Sequence, residues 1–259
     1  MPINIMKQQF IDIHAHLDIC KNTNEVIKKA KEKSVLIVVA GLDHKSNASL
    51  FNLSKGKENI QICMGIYPTE AEKLDDKQVE KEISFIKENK DKIIGIGEVG
   101  LDNLEGEDLD KQKKVLGKFI NLAKDLDKPL IVHSRKAEAE TIEFLERFFY
   151  KKIIMHCFSG SMKLVKRIIE NGWNLSIPTN VVYSEHFQKI VELTPIKNLF
   201  CETDSPFLNP YKSEEFHNEP ANVIESYKKI AEIKGISLDE VKNQIFENFE
   251  RVFGIPSRN

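Results

Sequence analysis

Short apolar runs recur along this chain, each followed by a longer charged segment whose apolar residues return every three or four positions. The runs span residues 10–15, 35–40, 60–66, 93–98, 129–133, 152–156, 173–177 and 198–203. Between them lie stretches such as "NEVIKKAKEK", "VEKEISFIKENK", "KQKKVLGKFINLAKDL", "EAETIEFLERFF" and "MKLVKRIIENG". Two more, around 219–233 and 238–252, close the chain. The short runs read as buried strands and the longer periodic segments as helices packed on a sheet. Repeated about eight times, the alternation demands a parallel sheet, either open and doubly wound or closed into a (β/α)8 barrel. At 259 residues, with no repeat, linker or low-complexity segment, the chain is expected to form one domain over 1–259.

The first run, "FIDIHAHLD", carries two histidines and two aspartates among apolar neighbours, which is costly unless something binds them. His14, His133 and His156 each close a strand candidate ("FIDIH", "PLIVH", "IIMH"), and so do Glu98 in "IIGIGE" and Asp204 in "LFCETD". Alternation along a strand puts His16 and Asp12 on the face of His14, and Glu202 on the face of Asp204, where it is expected either to support a ligand from behind or to act in catalysis. The C-terminal strand ends of a (β/α)8 barrel form its active-site face. Ligands from the first and last strands meet at one ion only if those strands are neighbours, which favours the closed barrel over the open sheet.

Imidazoles and carboxylates together suit zinc, manganese, iron or magnesium. Six ligands exceed the need of one ion with an open position but fit two ions sharing a carboxylate. Glu98 is the expected bridge, with His14, His16 and Asp204 at one ion and His133 and His156 at the other. Two ions about 3.5–4 Å apart activate water and stabilise both oxygens of a phosphoester displacement. Asp204 or Glu202 is expected to move the proton of the attacking water. Ser134, Arg135 and Lys136 are expected to bind phosphate, as are Ser159, Gly160 and Ser161 at a helix N-terminus. His44 and His186 read as surface or helix residues, and Cys157, next to His156, as a packing residue facing away from the ions. "SGS" and "GIGEVG" look like phosphate loops, but no G-x-x-x-x-G-K-[ST] accompanies them.

Composition narrows the partners. Thirty-eight Lys and Arg against forty Asp and Glu leave a net charge of −2, which argues against coating long duplex DNA through basicity. The lysine-rich helices therefore read as solvated faces. Cys20, Cys63, Cys157 and Cys201 are widely spaced without a C-x-x-C pair, as in a reduced cytoplasmic protein. The start, "MPINIMKQQF", lacks an apolar signal core, and "VLIVVAGL" is far too short to cross a bilayer.

The ordered motifs "DIHAHLD", "GIYP", "GEVGLD", "IVHSR", "HCFSGS", "ETDSPFLNP", "NEPANV" and "NFERVFG" resemble those of the TatD-type metal-dependent deoxyribonucleases, amidohydrolase-like barrels, over nearly the whole chain. The resemblance implies a (β/α)8 barrel, two divalent ions (Zn, Mg or Mn) and hydrolysis of DNA phosphodiesters, often from an end. It assigns metal ligation to His14, His16, Glu98, His133, His156 and Asp204. Two positions depart from the family pattern. Tyr67 and Thr69 stand where "GIHPH" has histidines, and His217 stands where an arginine usually precedes "NEP". Tyr67 and His217 are expected at loops that touch substrate phosphate.

The expectation is a cytoplasmic, monomeric, two-metal deoxyribonuclease acting on DNA ends or single strands. Its rivals are an amidohydrolase or lactonase on the same centre and a non-catalytic interaction protein that retains the barrel. Many amidohydrolases bridge their ions with a carboxylated lysine; Glu98 in that place favours the phosphodiesterase.

Overall fold

The eight apolar runs become eight parallel strands. The computed structural model describes residues 9–213 and 215–255. Its strands are β1 (Phe10–Ala15), β2 (Val35–Ala40), β3 (Ile60–Met64), β4 (Gly95–Asp102), β5 (Leu130–Arg135), β6 (Ile153–Met155), β7 (Asn174–Ile177) and β8 (Leu199–Cys201). They pair in sequence order from β1 to β8. Helices α1 (Thr23–Glu32), α2 (His44–Ser54), α3 (Pro68–Lys73), α4 (Asp76–Glu88), α5 (Leu109–Asp125), α6 (Glu138–Glu146), α7 (Met162–Glu170), α8 (Glu185–Leu193), α9 (Val223–Lys234) and α10 (Leu238–Phe253) surround the sheet. No described helix is long and apolar enough to cross a membrane.

The sheet closes where β1 meets β8. Ala15 bridges Ser205 in parallel register, Asp204 N–H donates to the His14 carbonyl at 3.0 Å, and His16 N–H donates to the Ser205 carbonyl at 2.9 Å. Lower in this seam, side chains replace ladder bonds. The Tyr227 hydroxyl of α9 accepts from Ile11 N–H at 2.9 Å and donates to the Ile11 carbonyl at 3.1 Å. Asp12 accepts from Thr203 N–H at 2.8 Å and the Thr203 hydroxyl at 2.6 Å. Ile11 and the Thr203 N–H thereby keep partners where the ladder opens, as buried backbone groups need.

Strand β2, "VLIVVA", is buried along its whole length, as a strand between helices and barrel interior must be. Helix α5 buries Val115, Leu116, Phe119, Ile120, Leu122 and Ala123, the stripe its periodicity predicts. The lysines on its other face pair with α4: Lys114 Nζ lies 2.7 Å from Asp76 and Lys118 Nζ 2.7 Å from Glu80. These are solvated faces, as expected.

The boundaries differ at telling places. Helices α2, α3 and α8 join the pattern without having stood out by periodicity. Helix α2, "HKSNASLFNLS", lacks an apolar stripe and is fixed by its cap, in which Asp43 accepts from Ser46 N–H while the Ser46 hydroxyl accepts from Asp43 N–H. Strand β4 continues four residues beyond Glu98 through "VGLD". There Gly100 lies against β5 so closely that a Cβ would sit 2.0 Å from the His133 carbonyl oxygen, so only glycine admits the pairing.

Candidate metal centre

All six expected ligands converge at the C-terminal mouth of the barrel. His14 lies in β1 and His16 just past it, Glu98 in β4, His133 in β5, His156 one residue past β6, and Asp204 three residues past β8. Glu98 is at the middle and is 2 % exposed. Its Oε2 lies 3.3 Å from His14 Nε2 and 3.4 Å from His16 Nε2. Its Oε1 lies 2.9 Å from His133 Nδ1 and 3.8 Å from His156 Nε2. The carboxylate thus divides its two oxygens between two histidine pairs.

Asp204 is less one-sided than expected. Its Oδ1 lies 3.8 Å from His14, 3.4 Å from His16 and 3.9 Å from His156, so it faces both pairs. Three overlapping groups have ligand atoms close enough to share a cation: His14, His156 and Asp204; His14, His16 and Glu98; and Glu98, His133 and His156. The donor set suits divalent ions. His14 Nε2 and His16 Nε2 are 3.1 Å apart and both approach one carboxylate oxygen, an arrangement a cation between them would stabilise.

Behind two of the ligands stand carboxylates of different visibility. Glu202, fully buried, accepts from His156 Nδ1 at 2.8 Å, Cys157 N–H at 2.9 Å and the Ser176 hydroxyl at 2.6 Å. Its oxygens are engaged behind His156, away from the cavity, which favours the supporting role over the proton-moving one and leaves the latter to Asp204. Asp102 was missed as a functional residue. It is fully buried, its Oδ2 lies 3.0 Å from His133 Nε2, and its Oδ1 accepts from Leu104 N–H and Glu105 N–H. The signal lay in "GEVGLD", where Glu98 and Asp102 stand four apart on one strand, but that strand was read as ending at Glu98.

The charges oppose burial throughout. Burial resists ionisation of Glu98, yet His14, His133 and His156 hold its carboxyl well below the usual range. Asp204 is likewise held down, against burial, by His156, His16 and His14. Burial disfavours protonated His156, but Glu202, Asp204 and Glu98 outweigh it and raise the imidazole to about 10. His133 is raised, against burial, by Asp102 and Glu98. Of the four imidazoles His14 alone shifts down, because burial and the neighbouring His156 prevail.

Five of the six candidates, His16, Glu98, His133, His156 and Asp204, line a cavity of about 850 Å³, a size suited to a small ligand or the end of a chain. Tyr67, Ser134, Arg135, Lys136 and Ser159 line it. The Tyr67 hydroxyl reaches the site, as expected, and donates to Asp102 Oδ2 at 3.0 Å. Ser134 Oγ is buried without a hydrogen-bond partner among the described residues. Ser159 Oγ donates to Glu138 at 3.0 Å, and Ser161 serves as N-cap of α7.

Two expectations fail here. His217 lies outside the cavity, exposed over a separate small hollow between α1 and the loop after β8, beside Lys29 and Glu219. The chain turns after Pro206 so that Phe207 and Leu208 face the cavity and His217 does not. Cys157 borders the cavity instead of facing away from it. It lies beyond the end of β6 with φ 42°, so strand alternation no longer sets its direction. His44 opens α2 with its Nδ1 2.5 Å from Glu82, and His186 lies in α8; both sit outside the cavity, as expected.

The pattern of the family described as "TatD related DNase" matches residues 11–254. An uncharacterized metal-dependent hydrolase of Methanocaldococcus jannaschii is 37% identical over 95% of this chain and 97% of its own length. The human deoxyribonuclease TATDN3 is 33% identical over 94% of each chain. Among solved structures, the TatD homolog YJJV of Escherichia coli superposes with a TM-score of 0.89, at 24% identity, covering 97% of this chain and all of that one. It shares the barrel. With the motifs, the barrel and the ligand cluster agreeing over nearly its full length, the chain belongs to the TatD family of metal-dependent hydrolases.

Proposed function

We propose that this protein is a two-metal phosphodiesterase, a deoxyribonuclease acting on the ends of DNA strands. The observation that carries the reading is the division of Glu98: Oε2 faces His14 and His16 while Oε1 faces His133 and His156. A carboxylate so placed would let two cations share one residue. Two divalent cations held there by His14, His16, Glu98, His133, His156 and Asp204 would supply Lewis-acid activation of water and neutralise charge on the phosphate oxygens.

The chain's own groups do the rest. Asp204, the most accessible of the two ligand carboxylates at 16 % side-chain exposure, is the acceptor for the proton leaving the attacking water. Glu202 and Asp102 keep the second nitrogen of His156 and of His133 as the donor, so that the other nitrogen faces the centre with its lone pair. Ser134 Oγ offers a free hydroxyl and Arg135 a forked cation for a phosphate oxygen at the cavity wall. The human relative's name as a deoxyribonuclease supports the choice of DNA.

The test is metal content and hydrolysis on one purified sample. Two equivalents of divalent cation per chain and cleavage of single-stranded DNA are expected. Chelation should abolish both while far-ultraviolet circular dichroism persists, since the barrel has its own core. Hydrolysis of amides or lactones without cleavage of DNA would replace this reading with the amidohydrolase one.

A further inference from the structure

Eight large apolar side chains are exposed among the described residues. Single exposed apolar residues are ordinary on any protein. Here six of the eight gather at one end: Ile19, Leu104, Phe207, Tyr211 and Phe216 on loops, and Val182 at the end of a 3-10 turn, all follow the C-terminal ends of barrel strands. Ile19, Leu104 and Phe207 line the metal cavity itself. Tyr211 and Phe216 continue outward along the loop that carries Phe207.

The described residues of that loop on either side of position 214 are tied by several contacts. Tyr211 and Phe216 meet edge to face, with ring centroids 4.9 Å apart at 89°, and remain 56 % and 39 % exposed. Asn209 Nδ2 donates to the Ser213 and Phe216 carbonyls, and Asn209 Oδ1 accepts from Tyr211 N–H. The Tyr183 hydroxyl donates to the Asn209 carbonyl at 3.1 Å, and the Thr179 hydroxyl to the Leu208 carbonyl at 2.6 Å. Lys212, next to Tyr211 in the chain, places its ammonium 4.9 Å from the centre of the Tyr183 ring. Across the mouth, on the β5 side, Arg135 and Lys136 supply positive charge.

From this arrangement we infer that the β8–α9 loop is a stacking platform for a single strand of nucleic acid whose end enters the metal cavity. Phe207 supports a base beside the scissile phosphate, and Tyr211 with Phe216 supports bases further along the strand. The inference rests on the phosphodiesterase reading and adds the strand's path to it. Aromatic faces interleaved with cations bind single strands without regard to sequence, because every base offers a π-face. Duplex DNA keeps its base faces covered, and the net charge of −2 gives it little to hold. Tyr211 follows Phe207 by four positions, which bounds their Cα atoms to about 14 Å. Stacked bases rise about 3.4 Å each, so the outer pair meets bases about two to four nucleotides from the one on Phe207.

The experiment measures KM on oligothymidylates of two to ten nucleotides with the full-length protein loaded with Mn²⁺. KM is expected to fall about tenfold as length passes four to six nucleotides, with kcat nearly constant. Tyr211→Ala with Phe216→Ala should erase the length dependence, and Tyr211→Phe with Phe216→Tyr should keep it. A wild-type measurement makes the result independent of folding: abasic residues three and four nucleotides from the scissile bond should raise KM by the same factor. Cleavage with a KM indifferent to length and to abasic sites overturns the platform and leaves the phosphodiesterase reading standing. Cleavage of no oligonucleotide ends that reading instead. Fluorescence anisotropy with labelled oligothymidylate then decides the platform alone: binding weakened about tenfold by Tyr211→Ala supports it, and no binding overturns it.

Discussion

The four histidines of the centre form two pairs held by different means. His133 and His156 each turn their second ring nitrogen to a buried carboxylate, Asp102 at 3.0 Å and Glu202 at 2.8 Å. His14 and His16 have no such support: their Nδ1 atoms are buried without a hydrogen-bond partner among the described residues. What fixes the first pair is chemistry at the ring, which sets tautomer and orientation together. What fixes the second is packing and backbone. The His14 ring lies 3.9 Å from that of His156 and meets that of His16 edge-on at 4.7 Å, on a strand clamped into the β1–β8 seam. One pair is aimed by hydrogen bonds and the other by the barrel's closure.

Glu98 joins the pairs, so its change should outweigh any change to either. Glu98→Gln keeps the shape, removes the charge, and offers an amide nitrogen to one of the pairs. Both ions should bind more weakly and turnover should fall by more than about 100-fold, beyond the usual cost of losing a supporting residue. Metal analysis of the variant checks this. Two tightly bound ions and near-native turnover would show that Glu98 does not join the pairs at all.

Asp102→Asn and Glu202→Gln should act on one pair only, each weakening metal binding by about 10–100-fold. The Glu202 variant also has a signature in pH. The His156 imidazole, raised to about 10 against the opposition of burial by Glu202 and its other acidic neighbours, must lose its proton before it binds metal. Metal affinity should therefore climb with pH well above neutrality in the wild type. Removing the Glu202 charge lets the proton leave at lower pH, so the climb should level off earlier in Glu202→Gln. Isothermal titration with Mn²⁺ across pH 6–9 reads the effect. An unchanged profile, or equal weakening of both ions, would dissolve the distinction between the pairs.

This asymmetry was only half legible in the sequence. Histidines ending apolar runs announce themselves, because a titratable ring in a strand is conspicuous, and all six ligand candidates meet at the mouth. Asp102 did not announce itself: two glycines break the apolar run, and the extension of β4 depends on backbone approach to His133 that no pattern displays. Glu202 stayed open between supporting a ligand and acting in catalysis, because face-sharing with Asp204 says nothing of depth and β8 ends at Cys201. His217 was placed by motif position, while the turn after Pro206 carries it to another surface. Strand β2, an unbroken aliphatic run, matches its expected bounds to the residue, since composition alone dictates it; α2, capped but not amphipathic, did not stand out.

The backbone half of the comparison can be broken from outside the centre. Tyr227→Phe removes the hydroxyl that serves both N–H and C=O of Ile11, three residues before His14. Leaving those buried groups unpaired should destabilise the fold by about 1–3 kcal/mol, seen as a lower urea midpoint. If the seam aims the β1 pair, metal affinity should also drop in this variant while binding through His133 and His156 persists. A destabilised protein with unaltered affinity for both ions would show that packing alone suffices for His14 and His16.

The smallest effect expected belongs to Tyr67, where this chain departs from the family pattern. Its hydroxyl donates to Asp102 Oδ2 at 3.0 Å, the same oxygen that receives His133. Asp102 is held below the usual carboxylate range, against burial, by His133 and by the Glu105 and Leu104 N–H groups. Tyr67→Phe therefore removes one donor of several from a carboxylate that stays ionised and stays bonded to His133. One hydrogen bond of this kind is worth about 0.5–1.5 kcal/mol, a factor of roughly 2–10. The loss should fall on metal affinity at the His133–His156 pair, because the phenol acts through Asp102 and its hydrogen is committed there. If Tyr67 instead spends that hydrogen on substrate phosphate, KM for single-stranded DNA will rise with metal affinity unchanged. His217→Arg, outside the cavity, supplies the reference and should alter neither quantity. Measuring metal affinity and KM on the two variants side by side separates a residue that tunes one histidine pair from one that holds the substrate.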